Sequence, residues 1–229
     1  FKVGDQIPDF VGPLGMPQHV SPVGHVVLVG GGLGVAPVFP QLRAFKEAGN
    51  RTTGIIGFRN KDLVFWEEKF GRYCDNLIVC TDDGSYGKPG FVTAALQEVL
   101  VNDRPDLVVA IGPLPMMNAC VETSRPSGVK TMVSLNAIMV DGTGMCGSCR
   151  VTVGHEIKFA CVDGPDFDGH QVDFKELLLR QKRFKGEEAA ANTDYAHICN
   201  VEKILFDQGK KNYKKYKDLA PHATKMPER

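Results

Sequence analysis

Two periodicities alternate along the first 136 residues. Runs at 25–29, 52–58, 76–80, 106–111 and 130–135 are short and rich in Val, Ile and Leu, as expected of strands buried on both faces. Between them, residues 37–47, 62–70, 90–101 and 115–124 repeat apolar side chains every three or four positions, the spacing of one helical face. Gly49 and Asn50 stop the first helix. Alternation of this kind predicts an α/β fold, a doubly wound parallel five-stranded sheet with helices on both faces.

The pattern changes after Asn136. Glycine and cysteine become frequent, and the alternating runs at 150–153 and 156–159 predict a hairpin in a small irregular lobe. Residues 174–184 have helical spacing, and the chain is polar from Lys185 onward. Residues 210–217 form a basic run with interleaved tyrosines. Such runs can bind nucleic acid, but a solvated face or a tail against a partner subunit is the commoner origin and is preferred. Four segments are expected: 1–20, the end of a preceding domain; 21–136, the sheet; 137–185, the lobe; and 186–229, a polar tail or linker.

Charge adds little. Lys plus Arg and Asp plus Glu number 27 each, so no global field points to nucleic acid or an anionic membrane. No stretch is apolar enough to span a bilayer, and no secretory signal is visible. The chain begins with Phe, so a natural N-terminus upstream is expected. Of seven cysteines, Cys74, Cys80, Cys120 and Cys199 have no framework spacing and read as buried reduced thiols in a cytoplasmic protein.

Gly30, Gly31, Gly32 and Gly34, followed by Ala36 and Pro37, link the first strand to the first helix. Such a turn brings backbone N–H groups and the helix N-terminus close to a diphosphate, so a dinucleotide site is expected. Proline suits a first helical turn. The second strand ends in Arg59, a candidate phosphate partner or a solvated strand end, without an acid at its tip. Asp82 and Asp83 follow the third strand. They would repel a 2′-phosphate, so NAD(H) is favoured over NADP(H), although an Asp-Gly turn is the plain alternative. Gly112, Pro113 and Met116 follow the fourth strand at the carboxyl edge, where open sheets bind ligands.

The most specific signal is the run from Asp141 through Cys146 to Cys149, with Cys161 beyond it. Plant-type [2Fe–2S] loops read Cys-x4-Cys-x2-Cys followed by a distant Cys. Here the spacing is kept and Asp141 takes the first position. Gly142, Gly144 and Gly147 let the backbone wrap closely around a cluster. A zinc site using the three cysteines and His155, or a redox Cys-x-x-Cys pair, remain alternatives.

Gly32-x-Gly34-x-x-Pro37, Gly112-Pro113-x-x-Met116 and the loop Asp141-Gly-Thr-Gly-Met-Cys-Gly-Ser-Cys149 together resemble one family. It contains the electron-transfer subunit of dihydroorotate dehydrogenase, within the ferredoxin–NADP reductase superfamily. The closer likeness is to the small subunit of NADH-dependent reduced ferredoxin:NADP oxidoreductase, also called sulfide dehydrogenase. The resemblance covers about residues 8–185. It implies a ferredoxin reductase-type NAD module, and electrons passing between NAD(H), FAD and a [2Fe–2S] cluster to a larger flavin and iron–sulfur subunit. It also implies that residues 1–20 are the remnant of an N-terminal FAD-binding β-barrel, whose Arg-x-Tyr-Ser-type motif is missing here. Where the superfamily has Cys before Gly-Pro, this chain has Ile111, and Cys120 is not expected to replace it. Residues 225–229 resemble the start of the larger subunit, so a fused polypeptide is expected. The competing functions are a non-catalytic NAD-binding regulatory module and a zinc-stabilised interaction domain.

Overall fold

The computed structural model describes residues 4–193. In chain order the elements are β1 (His25–Gly31), α1 (Val35–Glu47), β2 (Arg51–Phe58), α2 (Glu67–Gly71), β3 (Asn76–Thr81), β4 (Lys88–Pro89) and α3 (Val92–Asn102). There follow β5 (Leu107–Ile111), α4 (Leu114–Ser124), β6 (Lys130–Ser134), β7 (Arg150–Val153), β8 (Glu156–Phe159), β9 (Asp166–Asp168) and α5 (Phe174–Gln181). The described residues up to Gln181 form one compact unit, and those from Lys182 to Thr193 belong to a second. The second has a helical stretch at 185–193, and the basic run at 210–217, Cys199 and residues 225–229 lie outside the described residues.

The five expected strands form the parallel centre of the sheet, in the order β3-β2-β1-β5-β6. Two unexpected strands make it seven. β4 pairs with β3 at one edge, and β9 lies antiparallel on β6 at the other. All seven residues of β1 are buried, as a central strand covered on both faces requires. Val26 and Leu28 pack with Val38, Leu42 and Phe45 of α1 on one face. Val27 and Val29 point the other way, toward Leu96 of α3 and Val121 of α4. This is the period-two alternation of a strand. The second core also includes Cys149, Val151, Ala160, Cys161 and Leu177 of the lobe and α5.

Several boundaries differ from expectation. Helix α1 begins at Val35 after a 3-10 turn over Gly32–Gly34, so Pro37 is the third helical residue rather than the first. Helix α2 is only Glu67–Gly71, because Trp66 sits at φ 61° in the left-handed region and breaks the helical path. Helix α5 stops at Gln181 rather than residue 184. Of residues 1–20, read as the end of a barrel, the described part, 4–20, contains no strand. Instead Met16 N–H donates to the Gly164 carbonyl at 2.7 Å.

Candidate functional site

The chain leaves β1 toward β2 on one side and reaches β5 on the other, so the carboxyl ends of β1 and β5 flank a topological switch point. Gly30 is in register with Ile111. A Cβ on Gly34 would overlap the Ile111 carbonyl and lie 2.7 Å from Gly112 Cα. A Cβ on Gly112 would meet Met116 Cε and Sδ at 2.9 Å, and one on Gly31 would overlap the same sulfur. Thus Gly30, Gly31, Gly34, Gly112 and Met116 come together, with Pro113 capping α4 beside them. Ala36 and Pro37 lie in the first turn of α1. Gly32, at φ 54°, has open space around its Cα. Backbone N–H groups, a helix N-terminus and missing side chains are what a diphosphate requires.

Arg59, Asp82 and Asp83 lie elsewhere on the same edge, at the ends of β2 and β3. Two strand spacings put β3 roughly 10 Å from β1, a span a dinucleotide crosses. Asp82 N–H donates to the Phe58 carbonyl at 2.9 Å, and Asp83 N–H to the Arg59 carbonyl at 3.2 Å. The two acids differ. Asp83 Oδ1 accepts from the Ser85 N–H at 2.9 Å and the Ser85 hydroxyl at 2.6 Å, and these bonds hold its carboxyl below the usual range. Asp83 is therefore committed to its own turn, whereas Asp82 is exposed with no side-chain hydrogen bond among the described residues. Ser85 Oγ also accepts from the Lys61 N–H at 2.8 Å, tying the β2 and β3 loops together. Sequence reasoning missed Phe91, 68% exposed at the start of α3. Its neighbour Gly90 donates to the Thr81 carbonyl at 2.9 Å. The signal available was an aromatic residue straight after Lys88-Pro-Gly90, where a buried role was not required.

The cluster loop crosses from β6 to β7. Gly142, Gly144 and Gly147 take φ of 76°, 85° and 66°, backbone that other residues resist. Asp141 Oδ1 accepts from Thr143 N–H at 2.9 Å and Oδ2 from Cys146 N–H at 2.8 Å. These bonds, that from Thr143 foremost, lower the Asp141 carboxyl below its usual range. Cys149 and Cys161 are buried at the open end of the β7–β8 hairpin, with their sulfurs 3.2 Å apart. Arg180 of α5 braces the loop by donating to the Ser148 carbonyl at 3.2 Å.

Two donor pairs result, Asp141 with Cys146 and Cys149 with Cys161. Among the described residues no three His, Cys, Asp or Glu side chains converge on a single ion position. Three thiols and one carboxylate at these spacings are the donor set that a [2Fe–2S] loop requires. His155 is not a ligand candidate: it occupies the hairpin tip at φ 68°, about 13 Å of strand from Cys149. Among the other described thiols, burial pushes Cys74 and Cys120 up to about 12, which keeps them protonated. Burial raises the pKa of Cys80 as well.

Residues 136–173 match the iron–sulfur cluster binding domain of dihydroorotate dehydrogenase B. The chain is 50% identical over 187 residues to a dihydroorotate dehydrogenase B (NAD(+)), electron transfer subunit homolog of Thermotoga maritima, covering 82% of this chain and 66% of that one. A dihydroorotate dehydrogenase B (NAD(+)), electron transfer subunit of Shouchella clausii is 37% identical over 178 residues, covering 75% and 66%. This chain thus spans about two thirds of the length of these curated relatives. A solved structure of NADH-dependent reduced ferredoxin-NADP oxidoreductase, determined for insight into flavin-based electron bifurcation, superposes with a TM-score of 0.77. It is 47% identical, covering 84% of this chain and 70% of the other. No described helix is long and apolar enough to cross a membrane. With its glycine crevice and its iron–sulfur-binding loop, the chain belongs to the oxidoreductase family of dihydroorotate dehydrogenase B-type electron-transfer subunits, which takes in the ferredoxin-NADP oxidoreductase relative.

Proposed function

We propose that this chain is the NAD(H)- and [2Fe–2S]-binding subunit of a flavin-dependent oxidoreductase of the ferredoxin:NADP oxidoreductase or sulfide dehydrogenase type. It passes electrons to a larger flavin and iron–sulfur subunit. One observation carries the reading: a dinucleotide crevice at the β1–β5 switch point and a buried thiol pair share one hydrophobic core. A regulatory NAD-binding module would have no use for the second. The dihydroorotate dehydrogenase type is the alternative, favoured by the name of the Thermotoga maritima relative.

In this reading residues 21–136 hold the dinucleotide. The Gly30–Gly34 turn and the α1 N-terminus receive the diphosphate, Asp82 accepts from a ribose hydroxyl, and Phe91 offers a face to the base. Gly112, Pro113 and Met116 line the nicotinamide end. Residues 137–185 present Asp141, Cys146, Cys149 and Cys161 to the cluster, which supplies one-electron storage. FAD supplies the conversion of a hydride pair into single electrons, and it is assigned no residue of this chain. Buried free thiols suit a cytoplasmic setting.

The test uses the full-length protein with its partner. It should contain about two irons per chain in this subunit and bleach in the visible when NADH is added. Cys149→Ser should lose or destabilise the cluster, whereas Cys74→Ser should keep it. One zinc per chain without visible absorbance would refute the assignment.

A further inference from the structure

One polar contact joins the helix of the glycine turn to the strand beyond the thiol pair. Gln41, in the middle of α1, donates from Nε2 to Asp166 Oδ2 at 3.1 Å. Asp166 opens β9 in register with Ser134 of β6, and beside it the Leu135 N–H donates to the Pro165 carbonyl at 2.9 Å. Both side chains are half-buried, yet their other oxygens are sealed from solvent. Among the described residues, Asp166 Oδ1 and Gln41 Oε1 have no hydrogen-bond partner.

Two buried acceptors, on side chains already joined by one bond, lack the same thing, a donor. A buried polar atom left unpaired is costly, and a buried carboxylate more so. Among the described residues no ion pair reaches Asp166. On α1, Arg43 faces Glu47 and Lys46 pairs with Asp75. On β6, Lys130 is exposed at the opposite end of the strand, and in the segment before β1 His19 is exposed. The neighbouring acids are engaged elsewhere, Asp168 by the His170 N–H and Asp163 by the Phe159 N–H. Burial pushes the Asp166 carboxyl above its ordinary value, against the hydrogen bonds from Ser134 and Gln41. A carboxylic acid facing an amide accepts from its N–H and donates to its oxygen, so one proton satisfies both orphaned atoms.

We infer that Asp166 is a positioning residue held as the neutral carboxylic acid at neutral pH, its Oδ1 proton shared with Gln41 Oε1, so that a two-bond pair holds α1 against β9. The proton comes from water, and no other bond changes. Its loss at alkaline pH leaves a buried carboxylate oxygen against an amide oxygen and loosens the helix that carries the glycine turn. Asp166→Asn supplies the same donor and acceptor as the neutral acid, whereas Asp166→Ala supplies neither.

Infrared spectra of the full-length holoprotein at neutral pH test the assignment. The parent should show the C=O band of a neutral carboxyl, moved by heavy water, that Asp166→Asn lacks. Absence of that difference overturns the inference. So does an Asp166→Asn chain that fails to fold, because the amide stands in for the neutral acid alone. NADH titration calorimetry reads the positioning, and rests on the dinucleotide reading above. Asp166→Asn should bind NADH like the parent at neutral pH and keep that affinity at alkaline pH, where the parent weakens. Asp166→Ala should bind about five-fold more weakly at neutral pH, the worth of one ordinary hydrogen bond. Equal weakening in both variants, or none in Asp166→Ala, overturns the positioning role. If parent and variants alike bind no NADH while the infrared difference is present, the dinucleotide reading fails and the neutral carboxyl stands.

Discussion

Gly34 offers a direct test of how the crevice is built. Its backbone lies at φ −60°, ψ −17°, ordinary helical values, so nothing in its conformation requires glycine. Alanine there should favour the helix by up to about 1 kcal/mol. Space forbids it. The added Cβ would overlap the Ile111 carbonyl oxygen and sit 2.6 Å from its carbon and 2.7 Å from Gly112 Cα. These are backbone atoms of β5 and its exit turn, and β5 is hydrogen-bonded to both β1 and β6, so no flexible side chain can give way. Overpacking of this kind costs about 3 kcal/mol, at the upper end of the usual range, leaving a net loss of about 2 kcal/mol after the helix gain. For a chain of this size that lowers the melting temperature by roughly 4–8 °C. Gly32 is the contrast: at φ 54° with nothing within 4 Å of its Cβ position, alanine meets only the left-handed penalty of about 1 kcal/mol. Thermal unfolding followed by circular dichroism, with NADH titration calorimetry, reads both effects. Gly34→Ala should lose stability and NADH affinity together, and should be the worse of the two variants. If it melts with the parent and binds NADH as well, the close approach of the turn to β5 is not what makes the crevice.

Two further outcomes are expected. NADH should bind more tightly than NADPH, by roughly five-fold or more if one unfavourable surface charge contact costs about 1 kcal/mol. Asp82→Asn should narrow that gap more than Asp83→Asn, because Ser85 already engages Asp83; tighter NADPH binding by the parent would point instead to Arg59 and Lys61 as phosphate partners. The third prediction concerns His25, buried at the start of β1 with Nε2 2.9 Å from Thr53 Oγ1. Burial first, then Arg51, lowers its pKa, against the opposing pull of Asp103. The unfolded chain then binds the extra proton more readily, so this contribution to stability is complete above about pH 6.5 and is lost as pH falls toward the lower folded value. Denaturant unfolding at neutral and mildly acid pH should show His25→Gln losing less stability on acidification than the parent. Equal losses would show that His25 does not set this dependence.

The central strands were legible because both faces are buried and their apolar runs are unbroken. The edges were not. Only Phe167 of β9 is buried between its two flanking acids, and two-residue β4 contains a proline. Both owe their existence to the neighbouring strand rather than to their own sequence. The apolar spacing from Asp62 to Phe70 read as one helix, but an early 3-10 turn and left-handed Trp66 place most of those side chains before the short helix α2 begins. The cluster chemistry was legible from spacing alone. Its division into two pairs was not, because the approach of Cys149 to Cys161 follows from hairpin register, with Arg150 opposite Phe159. Likewise a pair of adjacent acids looked equivalent until Ser85 was seen to claim one of them.

Strand β9 has a consequence for electron delivery. Its antiparallel pairing with β6, Met132 to Asp168 and Ser134 to Asp166, stitches the segment just beyond Cys161 to the sheet that carries the glycine crevice. The thiol pair therefore cannot swing on a tether as a mobile carrier would. The position of that pair against the sheet is set once, at folding. Under the proposed function, electron uptake by the lobe should then be indifferent to solvent viscosity.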